Sequence, residues 1–139
     1  MTDIHDKATR SYNMSRILSK NTKPELLVRR FLFKEGFRYR LHSKKLCGKP
    51  DIVLKKYNTV IFINGCFWHG HTNCKYAVIP KTRSSWWKDK INRTRERDRS
   101  NITKLRTEGW NIIVIWECEL KPKKVKHSLN YLKYRLTQD

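Results

Sequence analysis

Acidic residues are scarce in this sequence: 12 Asp and Glu stand against 32 Lys and Arg in 139 residues, a formal charge of +20. A compact chain with that imbalance repels itself unless a polyanion neutralises it, so nucleic acid is the expected partner. Anionic lipid or a merely solvated basic surface are the alternatives. The sequence also lacks any apolar run approaching a membrane span, and its first residues, MTDIHDKATR, have no signal-peptide stretch. A soluble, cytoplasmic chain is expected. Without internal repeats or linkers, its length suits one ordinary domain with a modest core, 38% of the residues being hydrophobic. Residues 1–20 are polar and basic, with little apolar periodicity, and read as an arm preceding a domain at 21–139.

The segment NTKPELLVRRFLFKEG carries helix punctuation: Thr22 to cap, Pro24 in the first turn, Glu25 placed for a capping box, Gly36 to stop. FRYRLH alternates like a half-buried strand. DIVLKK and TVIFIN read as a hairpin turning at Tyr57–Asn58. Ser84 or Ser85 opens a long helix ending near Gly109, with Trp87, Ile91, Thr94, Asp98, Ile102 and Leu105 on one stripe. WNIIVIWE is almost continuously apolar and predicts a central strand buried on both faces. A final helix is expected over Lys123–Leu136. The order predicts a small mixed α/β sheet sandwiched by helices.

Four cysteines occupy positions 47, 66, 74 and 118. In a cytoplasmic chain disulfides are not expected, and three of them have histidine company. Cys66, His71 and Cys74 form a C-x4-H-x2-C cluster, three soft donors to which one more would complete a closed tetrahedral zinc site. Cys118, after the apolar strand, is the natural fourth; Cys47 and His69 compete. The alternative is that Cys66 and Cys118 are plain buried residues and His71 an exposed loop histidine.

Asp51 in GKPDIVL heads a strand. A carboxylate there, near a basic surface, suits a Mg²⁺-dependent phosphodiesterase, because magnesium bridges hard oxygen ligands and phosphate. A turn aspartate after Pro50 is the plainer reading. His69 lies between cluster members but is not needed for a four-ligand set, and an imidazole titrating near neutrality can act as general base. Glu25 could supply a second carboxylate, although its capping place explains it alone.

Taken together, HDKATRS, GKPD, VIF-x-x-GCFWHGH, P-x-TR, ERDR and GW-x-x-x-x-x-WEC resemble the very-short-patch repair endonucleases, bacterial DNA mismatch nickases, over residues 3–119. The resemblance implies a restriction-endonuclease-like α/β fold with structural zinc on Cys66, His71, Cys74 and Cys118. It implies a Mg²⁺-dependent cut 5′ to the thymine of a T:G mismatch, the lesion left when 5-methylcytosine deaminates. By that pattern Asp51 and the Ile63 carbonyl hold the metal, His69 is the base and Glu25 assists. The chain departs from the family at Asn64, often histidine there, where amide hydrogen bonding replaces imidazole chemistry. The interval Thr72–Asn73 is one residue longer, and residues after Lys121 match little. A monomer suits so asymmetric a lesion, and the resemblance further implies a functional link to a cytosine-5 methyltransferase and to mismatch-repair and polymerase proteins.

A T:G pair differs only subtly at its groove edges, but mismatched steps unstack at lower cost, so flat side chains pushed into the stack can sense it. Phe67 and Trp68, adjacent in a loop, cannot easily both face one core, and are the expected wedge. Trp87 or Trp86 joins them, and the resemblance favours Trp87. Lys90 and the Arg93–Arg99 run are expected on phosphates, the basic arm in the opposite groove, and Trp110 and Trp116 in the core. The competing function is a zinc-stabilised DNA-binding module without nuclease activity; a basic RNA-binding protein is a third.

Overall fold

The computed structural model describes residues 21–138, so the expected arm lies outside the described residues. Three helices, α1 (Lys23–Lys34), α2 (Ser84–Thr107) and α3 (Val125–Leu136), flank four strands. These are β1 (Arg40–Leu41), β2 (Ile52–Leu54), β3 (Thr59–Asn64) and β4 (Asn111–Trp116), hydrogen-bonded in the order β1-β2-β3-β4. β1, β2 and β3 pair antiparallel, while β4 runs parallel to β3 from Thr59↔Asn111 to Asn64↔Trp116. Among the described residues no helix is long and apolar enough to cross a membrane.

Strand alternation sends side chains to two helical layers. Ile52, Leu54, Ile61, Ile113 and Ile115 pack with Val28 and Leu32 of α1 and Leu132 and Leu136 of α3. Val53, Val60 and Ile112 pack on the other face with Leu105 of α2, joined by Ile102. The stripe expected along α2 is the face it buries: Ile91 and Leu105 are buried and Trp87, Thr94, Asp98 and Ile102 half-buried. The hairpin also forms, turned by Asn58 in the left-handed region (φ 52°), a conformation asparagine tolerates better than most residues.

Three expectations change. β4 is not central but lies at one end of the sheet order; its continuous apolar character comes from helices on both faces, which hydrophobicity does not distinguish from strands on both edges. The FRYRLH segment pairs over only Arg40–Leu41, because His42 turns left-handed (φ 48°) and ends the strand. At α1, Thr22 Oγ1 accepts from the Glu25 N–H (3.4 Å), but the Glu25 carboxylate accepts from Asn21 N–H (2.6 Å) rather than closing the box on Thr22.

The loop after β3 winds tightly on itself, with His69 N–H donating to the Gly65 carbonyl and His71 N–H to that of Cys66 (3.1 and 2.9 Å). It seats on α2 through Gly70, whose φ is +62° and whose missing Cβ would stand 2.6 Å from Ile91 Cγ2. Gly109 has similar backbone (φ +94°) but open space around it. Gly70→Ala should therefore cost about 3 kcal/mol in urea unfolding, against about 1 kcal/mol for Gly109→Ala, since the first adds a clash to the backbone strain both share.

Candidate active site

Three soft donors in the loop between β3 and α2 meet a fourth just after β4. Ligand atoms of Cys66, His71, Cys74 and Cys118 all lie within 4.8 Å of one another. Cys118 reaches the group because β4 ends beside β3, so Cys118, two residues after Trp116, arrives next to the loop that leaves Asn64. Its N–H donates to Cys66 Sγ (3.4 Å), and its own sulfur stands 3.5 Å from His71 Nδ1. Asn73, with φ +55°, bends the longer interval between His71 and Cys74. The two rivals for the fourth place are elsewhere: Cys47 donates to the Asn101 carbonyl (3.3 Å) and His69 turns to Asp98. Burial pushes the Cys66 thiol up to about 12 and raises that of Cys118 as well. Despite desolvation, the Cys74 thiol goes the other way, lowered by hydrogen bonds from the Tyr76 and Ala77 backbone and from the two neighbouring thiols. Three sulfurs with one nitrogen are a donor set that a soft metal fits. Trp116, expected in the core, instead stacks flat on the His71 ring at 4.0 Å and 6°. The α2 face of the sheet is occupied there by this loop rather than by core.

Asp51, just ahead of β2, is pinned by the hairpin. Its N–H donates to the Ile61 carbonyl (3.1 Å), and its Oδ2 accepts from Ile63 N–H (2.8 Å). Burial raises its pKa to about 6, opposed by the Ile63 hydrogen bond; the charge of Glu25 raises it further, while His42 and His69 lower it. Two carboxylates and two histidines thus act on one another at the mouth of the hairpin. A half-buried carboxylate with a second one near enough to raise its pKa is a place where a divalent cation relieves both desolvation and repulsion, so the residues fit such an ion. Glu25 itself is only 2% exposed. Its Oε1 meets His42 Nε2 and its Oε2 accepts from Asn21 N–H.

His69 Nδ1 lies 2.6 Å from Asp98 Oδ2, both side chains about one-third exposed (30% and 31%). A carboxylate on Nδ1 fixes the proton there and leaves Nε2 as the basic nitrogen. Asp98 stands seven residues after Ile91 on the same α2 stripe, so the helix that seats Gly70 also supplies the partner of His69. Asn64 (9% exposed) lines one cleft with His69, Asp98, Arg95 and Arg99.

Beside this, Phe67, Trp68 and Trp87 form one aromatic cluster, with ring centroids 5.1, 5.3 and 6.0 Å apart. All three are half-buried. Trp86 is the more exposed neighbour (42%), with Arg83 and Lys90 over its ring at 4.8 and 5.6 Å. Lys90, expected on phosphate, is exposed at that spot.

With this geometry in view, the comparisons decide the family. The model of the family described as DNA mismatch endonuclease Vsr matches residues 2–75. The chain belongs to the Vsr family. Among its relatives are type II nicking enzyme V.NmeAIP of Neisseria meningitidis serogroup A, 53% identical over 95% of this chain and 94% of the relative, and V.XorIIP of Xanthomonas oryzae, 46% identical over 86% and 88%. The Escherichia coli K12 DNA mismatch endonuclease Vsr is 42% identical over 87% of this chain and 77% of its own. The mixed sheet with its flanking helices is thus the restriction-endonuclease-like fold of the Vsr family.

Sequence reading missed two members of the site. Asp98 had a signal, the one charged residue on a mostly apolar stripe. His42 had none, since its neighbours are set by the turn after β1.

The raised Asp51 pKa makes a stability prediction. An acid at about 6 in the folded chain and 3.8 unfolded costs stability fully above pH 6; the cost fades as pH falls between those values. With no magnesium added, Asp51→Asn should stabilise the chain by about 2 kcal/mol at pH 8 in denaturant titrations, and the gain should vanish near pH 4.

Proposed function

We propose that this chain nicks duplex DNA on the 5′ side of the thymine in a T:G mismatch, the product of 5-methylcytosine deamination, by Mg²⁺-dependent phosphodiester hydrolysis. The observation that carries this reading is the His69–Asp98 pair, 2.6 Å apart, with His69 close enough to the half-buried Asp51 carboxylate to lower its pKa. Family membership supplies the context.

In this mechanism Asp51 and the carbonyl of Ile63 hold magnesium, which supplies Lewis-acid polarisation of the scissile phosphate. His69 Nε2 takes the proton from the attacking water, and Asp98 holds the ring and steadies the imidazolium that results. Glu25 assists from behind this centre. Asn64, in the same cleft as His69, donates or accepts a hydrogen bond at the phosphate but cannot carry a proton there. Arg95 and Arg99 offer positive charge to the same strand.

Recognition belongs to the aromatic cluster. Phe67, Trp68 and Trp87 open the weak step and stack on its bases, at a cost of a few kcal/mol per step that stacking and phosphate contacts offset. Lys90 and the α2 arginines hold the backbone, and the arm at 1–20 takes the opposite groove. Zinc on Cys66, His71, Cys74 and Cys118 keeps the wedge rigid; with four protein ligands it leaves no place for water, so its role is structural. The chain acts as a monomer on an asymmetric lesion, in the cytoplasm, downstream of a cytosine-5 methyltransferase and alongside mismatch-repair and polymerase proteins.

The test is a labelled duplex with one T:G in a methylase site, incubated with and without Mg²⁺. A Mg²⁺-dependent nick on the thymine strand is expected, absent in Asp51→Ala with binding retained, and slowed about 10²–10⁴-fold in His69→Ala. Mismatch binding with no nick in the wild-type chain would instead support a non-cutting binding module. Tight binding to structured RNA would point to the RNA reading. In a separate binding assay, Phe67→Ala with Trp68→Ala should bind T:G and T:A duplexes equally, while affinity stays salt-dependent. Persisting discrimination would remove the wedge.

A further inference from the structure

Glu25 is almost wholly buried, and each of its oxygens already has a protein partner. Oε2 accepts from Asn21 N–H at 2.6 Å, and Oε1 is bonded to His42 Nε2. Asn21, the first residue after the basic arm, is itself held, its Oδ1 accepting from Arg29 Nη1 at 2.7 Å. On the other side, His42 N–H donates to the Asp51 carbonyl at 3.0 Å. One connected path therefore runs from the root of the arm, through Glu25 and His42, to the residue that heads β2.

Capping does not account for this path. A first-turn glutamate satisfies a helix start without being buried and without a histidine from another element. Burying a carboxylate is unfavourable unless a partner compensates it, and His42 is that partner. His42 also holds a left-handed backbone (φ 48°). For a residue with a Cβ, such strain persists only where its surroundings fix it, and it gathers at functional sites.

We propose that His42 is a positioning residue of the nuclease, locking Glu25 and aiming the Asp51 carboxylate, so that the seat of the N-terminal arm is tied to the catalytic centre. This rests on the nicking reading above. It also gives Glu25 its part in the reaction: Glu25 acts through His42, not as a direct ligand.

The test uses the full chain with His42→Ala and His42→Gln. Both variants carry a Cβ at the left-handed position, so backbone strain is common to them. The glutamine amide can still donate to Glu25. His42→Ala should lower kcat on the T:G duplex about 10- to 100-fold with KM changed less than about twofold, as expected of a small misplacement at a reacting centre. His42→Gln should recover most of the rate. A readout independent of turnover is the Ile63 amide proton, which is hydrogen-bonded to Asp51 Oδ2. Its NMR shift in magnesium-free protein should move in the alanine variant and return in the glutamine variant.

Wild-type turnover and an unmoved Ile63 amide in His42→Ala would overturn the proposal. So would glutamine failing to recover either signal. If the alanine variant does not fold, His42→Gln decides: near-wild-type turnover and amide shift support positioning, and a folded but inactive variant contradicts it. If the wild type itself does not nick, the nuclease reading fails, while the Ile63 amide still reports whether His42 aims Asp51.

Discussion

The convergence of Cys66, His71, Cys74 and Cys118 is the constraint on which the rest of the site depends. The loop that leaves β3 has little regular structure of its own, and its core-facing contribution is one buried cysteine. Yet it holds His69 against Asp98, and Phe67 and Trp68 against Trp87. Parallel pairing of β3 with β4 delivers Cys118 to the same corner, so three donors from the loop meet one from the strand end. A metal bound by such a set contributes on the order of 10 kcal/mol, far more than the loop's few hydrogen bonds. The His71–Trp116 stack adds a flat wall on the ligand's outer side.

Charge explains the second half of the site. In a chain of net +20, the hairpin mouth concentrates carboxylates and histidines where burial disfavours the ionised acid. This arrangement is costly to the free protein, and a bound divalent cation would offset that cost, because desolvation strengthens the attraction of the Asp51 carboxylate to positive charge. Stability and function pull against each other here.

The cysteine cluster was legible because ligand spacing is a local property; only the fourth member needed topology, and a strand end beside a strand end supplied it. The α2 stripe and the hairpin followed from periodicity and from Asn58. What failed was whatever periodicity cannot see. β4 reads as central because burial on two faces looks the same whether or not both edges are paired. Trp116 reads as core because its strand does, although the sheet face beyond it is taken by the loop that carries Cys66, His71 and Cys74. Asp98 was seen as part of the packing stripe but not as the partner of His69, since a helix face does not reveal which loop crosses it. His42 depended on a left-handed turn that no local pattern announces. The resemblance to mismatch nickases carried the catalytic assignments further than spacing alone could.

The central claim is that a metal held by these four side chains fixes the loop that bears both wedge and base. X-ray absorption at the zinc edge on the purified chain tests it most directly. One zinc per chain with three sulfur neighbours and one nitrogen is the predicted result. A chain that carries no zinc, or zinc surrounded by oxygen, would contradict the account.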